Sequence, residues 1–119
     1  MNQGKVIHYS QVEAEVAGDG AAGASIRWLI DEEHDGARIF VMRMIELEPG
    51  GYSPHHTHPY EHQNFVVDGH GELRLGEEIR PLGPGDVALV PAGLRHQYRN
   101  TGSTTLRFLC FIPAEKFRS

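Results

Sequence analysis

The stretch that decides the fold reads Gly50-Gly51-Tyr52-Ser53-Pro54-His55-His56-Thr57-His58-Pro59-Tyr60-Glu61-His62 and runs on to Gly69. A second stretch, Gly85-Asp86-Val87-Ala88-Leu89-Val90-Pro91-Ala92-Gly93-Leu94-Arg95-His96, runs on to Asn100. Both alternate short β-compatible runs with glycine and proline punctuation, and both carry imidazoles. Side chains two apart on a strand share a face, so His56 and His58 converge while His55 and Thr57 point away. His62 keeps the same parity, and the strand and tight turn before His96 carry it back to the same cavity as a fourth ligand. Five of the eight histidines fall between residues 55 and 70, a density that asks for a chemical explanation. His8, His34, His55 and His70 lack matching context and read as solvent-exposed. Imidazole nitrogen suits one divalent ion of Zn, Cu, Ni or Fe, with Mn also served, and ligands on rigid strands leave coordination positions open for water or substrate.

Outward from this core the pattern is all-β. The runs Ser25 to Ile30, Arg38 to Glu48, Asn64 to Val67, Glu72 to Leu75, Val87 to Val90, Arg95 to Arg99 and Thr105 to Ile112 are strand-like by residue type. Between them Glu48-Pro49-Gly50-Gly51, Leu82-Gly83-Pro84-Gly85 and Asn100-Thr101-Gly102 read as turns. A short helix within Ser10 to Ala17 is the one helical candidate, Ala17 to Ala24 reads as a flexible loop, and Asp31 to Gly36 as an acidic turn. In Ile39 to Ile45 both alternating faces are apolar, and Leu106 to Ile112 repeats the pattern. Such strands need cover on both sides, inside a barrel and outside it. A homodimer would bury one outer face; the N-terminal thirty residues could also supply that cover.

Composition narrows the function classes. At 119 residues the chain suits one domain, residues 1–119, with its core over about 25–113 and the segment 1–24 as cover. The net charge of −5, with nine Arg and two Lys scattered singly, argues against a nucleic-acid partner. The lone Cys110 suggests no oxidising compartment. No apolar run approaches the ~18 residues that span a bilayer, and the opening residues carry no signal-peptide core. A cytoplasmic protein without a membrane partner, acting on a small molecule, is expected.

At the two histidine stretches the chain resembles the cupin superfamily, whose motifs are G-x5-H-x-H-x3,4-E-x6-G and G-x5-P-x-G-x2-H-x3-N. The second is matched throughout, whereas the first has His62 where a Glu is usual. That departure is similar to the small bacterial tetra-histidine cupins, as are Phe40-Val41-Met42-Arg43 and Phe108-Leu109-Cys110-x-Ile112-Pro113. The resemblance implies a jelly-roll β-barrel (a double-stranded β-helix) with little helix, usually dimeric. It also implies manganese or a related divalent ion on His56, His58, His62 and His96, with Arg43, Phe108 and Cys110 near the metal's open face.

Alternatives stay open for several of these residues. Arg43 reaches a substrate anion or pairs with a carboxylate such as Glu46. Phe108 reads first as core, and Cys110 as a small buried hydrophobe rather than a nucleophile. Glu61 accepts an imidazole N–H from a ligand or lies in solvent. Tyr98, sharing the parity of His96, lines the cavity as wall or hydrogen-bond donor. The expected function is a metal-dependent oxygenase of dioxygenase type on a small organic substrate. A non-catalytic module binding a sugar or organic acid, and a redox-neutral isomerase or lyase, fit the same residues.

Overall fold

The computed structural model describes residues 2–119. Among them nine strands form one strongly curled antiparallel sheet: β1 (Ala14–Val16), β2 (Ala22–Ile30), β3 (Phe40–Tyr52), β4 (His62–Asp68), β5 (Gly71–Leu75), β6 (Glu78–Leu82), β7 (Val87–Val90), β8 (His96–Asn100) and β9 (Leu106–Pro113). The order is β6-β5-β8-β3-β9-β4-β7, with β2 also on β3 and β1 on β2. This is the jelly-roll expected from the sequence. Strand β3 joins its two walls, pairing with β9 from Phe40 to Leu47 and meeting β8 at Tyr52 opposite Arg99.

Period-two burial sets the core. Along β9 every second residue, Leu106, Phe108, Cys110 and Ile112, is buried, and β4 alternates in the same way through His62, Asn64 and Val66. Facing them are Val41, Ile45 and Leu47 of β3, Leu73 of β5 and Val90 of β7. Polar members of the inner face have partners: Asn100 donates to the carbonyls of Leu47 and Thr104 and accepts from the Gly102 N–H. The Asn that ends the second motif therefore builds a turn.

Several expected elements differ. The helix expected within Ser10 to Ala17 is a 3-10 turn at Tyr9–Gln11 followed by β1, whose residues pair with Ser25, Ile26 and Arg27. Edge pairing with β2 overrides the helix preference of Ala14 and Glu15. The loop expected over Ala17 to Ala24 gives way to β2 at Ala22. The acidic turn contains one helical turn, Glu32–Asp35, capped by Asp31 and stopped by left-handed Gly36. Glu48 to Gly51, expected as a turn, is a bulge within β3, where the register against β2 shifts between Ala22 and Ala24 and Gly50 takes φ +80°. Strand β6 escaped notice because only Leu82 of it is buried and Pro81 breaks its pattern, as edge strands allow.

The outer face is half covered. Lys5, Val6, Ile7, Tyr9 and Val12 line a cavity together with Leu29, Ile30 and Met42, and the segment is tied to β2 by Lys5 donating to the Leu29 carbonyl and Arg27 donating to the Val12 carbonyl. On the other half Phe65, Val67, Val87 and Leu89 stay exposed.

Gly69, the end of the first motif, marks where the chain turns from β4 to β5. It has φ +88°, and a Cβ there would stand 2.4 Å from the Thr105 carbonyl oxygen. Gly69→Ala combines a left-handed backbone with overpacking against main chain, so a loss of about 2–4 kcal/mol is expected in urea unfolding. A loss below about 1 kcal/mol would show that the turn can relax.

Candidate metal centre

Backbone geometry brings the histidines together before any side chain is considered. His56 and His96 form an isolated antiparallel bridge, with His56 N donating to His96 O at 3.2 Å and His96 N to His56 O at 3.0 Å. The Gly93 N–H donates to His58 O at 2.9 Å, so the Pro91-Ala92-Gly93 turn clamps the His58 loop. Before the loop, Ser53 N donates to Tyr98 O and Ser53 Oγ accepts from Tyr98 N. His62 enters from β4, opposite Val90.

His56, His58 and His96 offer ligand nitrogens that all lie within 4.8 Å of one another. This cluster can hold a metal ion. His62 stands outside that mutual grouping, yet its ring centre is 4.1 Å from that of His58 and 5.3 Å from that of His96. It lines the same pocket. The donor chemistry fits a cation: the Nδ1 of His58 lies 3.0 Å from the Tyr60 carbonyl and that of His96 2.9 Å from the Leu94 carbonyl. A carbonyl only accepts, so each Nδ1 carries the proton and each Nε2 presents a lone pair. The Nε2 atoms of His58, His62 and His96 are buried without a hydrogen-bond partner. Orphaned buried acceptors on one cavity are what a metal would satisfy.

The other expected residues separate into those that reach the pocket and those that do not. Arg43, Tyr98 and Cys110 line it, together with Ile26, Ile45, Ser53, Pro54 and Tyr60, in a cavity of about 160 Å³. Phe108 does not reach it; fully buried, it stacks behind Tyr98 with ring centres 4.4 Å apart. Glu61 is exposed and accepts from Gln63 Nε2 at 2.8 Å, so it meets no ligand imidazole. Tyr98 donates its hydroxyl proton to Asn64 Oδ1 and serves as wall. Burial raises both the Tyr98 phenol and the Cys110 thiol, which leaves Cys110 a poor nucleophile. Cys110 Sγ instead lies 3.3 Å from His62 Nδ1. His55, expected in solvent, is half-buried with its Nε2 enclosed. Asn64 and Tyr60 were missed as site residues; Asn64 shares the parity of His62, and Tyr60 stacks on His58 at 4.3 Å.

Burial, with the Arg43 charge second, depresses the His62 imidazole to about 2. Burial likewise lowers His96 to about 4, and burial first of all lowers His56 and His58. The four rings are therefore neutral donors at neutral pH. In the unfolded chain they protonate near pH 6.5, so below that the unfolded state binds more protons and stability falls with pH. Metal-free protein should lose up to about 1.4 kcal/mol per pH unit for each strongly depressed histidine between pH 6.5 and 5, measured by urea unfolding. A flat profile over that window would mean that the rings titrate normally.

The fold agrees with known proteins. The cupin domain family matches over residues 43–112. Among solved structures, the polyketide cyclase RemF from Streptomyces resistomycificus superimposes with a TM-score of 0.88 at 35% identity, covering 95% of this chain and 81% of that one. The 1-methylthio-D-xylulose 5-phosphate methylsulfurylase of Rhodospirillum rubrum is 31% identical over 75 residues, 63% of this chain and 48% of that protein. The tetracenomycin polyketide synthase protein TcmJ of Streptomyces glaucescens is 31% identical over 96 residues, 79% of this chain and 64% of that protein. The chain thus spans from about half to just under two thirds of the length of these two curated relatives. With a family match over more than half its residues and a jelly-roll built around converging histidines, the chain belongs to the cupin family.

Proposed function

We propose that the protein is a metal-dependent, redox-neutral cyclase that acts through the enolate of a small poly-β-carbonyl compound. The observation that carries this reading is a pocket of neutral, partnerless imidazole nitrogens beside the Arg43 guanidinium, lined, among the described residues, by no carboxylate. Such a pocket favours negative charge on a substrate oxygen. The similarity to a polyketide cyclase at 35% identity supports the same chemistry. Its volume of about 160 Å³ admits the reacting end of a substrate rather than a whole drug-sized molecule.

In this reading His56, His58, His62 and His96 hold one divalent ion, manganese being the expected one. When bound, the ion supplies Lewis acidity toward a carbonyl oxygen. Nδ1–H contacts to Tyr60 O and Leu94 O keep the His58 and His96 lone pairs aimed inward. Arg43 donates to the oxygen on which charge develops, and Ile26, Ile45 and Pro54 limit water around it. A methylene between two carbonyls is acidic enough, once its oxygens are stabilised, to pass a proton to a solvent water without a carboxylate base. The enolate carbon then adds to a second carbonyl of the same molecule, protons from water return to the oxygen of the attacked carbonyl, and its loss as water completes the ring.

The dioxygenase expected from the sequence would share the enolate but consume oxygen. Metal-reconstituted protein incubated with a linear triketone under oxygen separates the two by mass spectrometry and an oxygen electrode. A product lighter by one water with no oxygen uptake is expected; stoichiometric uptake would replace the cyclase by a dioxygenase, and binding without product would favour a binding module. Metal analysis should give one ion per chain, lost in His58→Ala while circular dichroism keeps the β-barrel.

The exposed outer-face residues Phe65, Val67, Val87 and Leu89 support the homodimer expected from the two-faced strands. Light scattering should find a dimer that Phe65→Glu converts to monomer; a monomeric wild type would sink this.

A further inference from the structure

The sequence left two partners open for Arg43, a substrate anion or Glu46. Glu46 faces the opposite side of β3 and is already taken, accepting from Arg27 Nε and Arg107 Nε at 2.7 Å each. Arg43 turns inward. Its Nη2 donates to Cys110 Sγ at 2.9 Å, and its guanidinium carbon lies 5.5 Å from the Trp28 ring centre. Trp28, Arg43 and Cys110 are direct register neighbours across β2, β3 and β9, so one row of the sheet fixes the guanidinium plane. Its Nε is buried with no partner. An oriented cationic donor, unpaired in a pocket whose described lining offers no carboxylate, lacks the acceptor that such a group requires.

The geometry points to an oxyanion subsite at Arg43, which takes a small planar oxyanion, carboxylate or enolate, between its Nε–H and the imidazole cluster. This deepens the proposed function and rests on it for the shared pocket. It adds that the substrate enters already carrying, or readily forming, an anion, and that Trp28 and Cys110 are positioning residues for its anchor. Cys110 also touches His62 Nδ1, so a single sulfur atom separates the anion anchor from a proposed ligand.

The test is titration of the full chain, metal-free and zinc-loaded, with malonate and separately with acetylacetonate, by calorimetry. Malonate should bind wild type about ten- to a hundredfold more tightly than Arg43→Met. Arg43→Lys, which keeps the charge but loses the planar fork, should fall between them. In ¹⁵N-labelled wild type the Arg43 Nε–H resonance should move on adding malonate, a readout that needs no variant to fold. Equal affinities in wild type and Arg43→Met, or an Nε–H resonance unmoved at saturation, overturns the subsite. Arg43-dependent binding of malonate alone assigns it to carboxylates; the same dependence for acetylacetonate extends it to enolates. Arg43-dependent binding without turnover of the triketone leaves the subsite standing and removes the cyclase. Undiminished triketone turnover in Arg43→Met, with no effect on anion binding, overturns the subsite and removes Arg43 from the cyclase, which then rests on the histidine cluster alone.

Discussion

An imidazole nitrogen sealed from water without a partner costs a fold about 1–3 kcal/mol, and this barrel seals three of them around one cavity. The surrounding architecture makes sense as the means of sustaining that cost. The His56–His96 bridge and the Gly93 clamp on His58 use main-chain hydrogen bonds, which do not depend on the rings they position. The carbonyls of Tyr60 and Leu94 then settle which ring nitrogen carries the proton. His62 differs, with a thiol sulfur where His58 and His96 have a carbonyl. A softer and weaker acceptor holds that ring less firmly than the carbonyls hold His58 and His96, and His62 stands outside the tight three-histidine grouping.

Much of this was legible in the residues, and the exceptions have physical causes. Alternation of burial made β4 and β9 plain, because one face of each packs on the core. It failed for β1 and β6, which sit at sheet edges and bury almost nothing, so their sequences carry no period to detect. Spacing identified His56, His58 and His96, although the first two lie in the loop between β3 and β4, where the bridge to His96 and the Gly93 turn bring them together rather than strand parity. The hydrogen-bond partners were not legible: nothing local distinguishes Glu46 from Glu61, yet one is locked between two arginines and the other lies in solvent. Phe108 and Cys110, two residues apart on one face, differ in role because Tyr98 covers the first and not the second.

Strand β3 keeps two electrostatic environments apart. Arg43 belongs to the pocket and Glu46 to an ion-paired cluster on the outer wall with Arg27, Arg107 and Asp68. That outer cluster balances itself and fastens the N-terminal cover through the Arg27 bond to Val12. The inner side has no such balance, so the charge of the pocket is left for whatever occupies it.

The bulge at Gly50 gives β3 a further property. Upstream of it the strand is in register with β2 and β9; just beyond it, Tyr52 is in register with β8 and the chain passes to the histidine loop. A single residue added or deleted between Arg43 and Leu47 would invert which side chains face inward, exchanging the guanidinium for a thioether. Length changes at the bulge itself would leave that half intact and displace the start of the histidine loop instead. Along β3, then, the pocket arginine and the entry to the histidine loop lie on opposite sides of a single glycine pair, so the placement of one does not dictate that of the other.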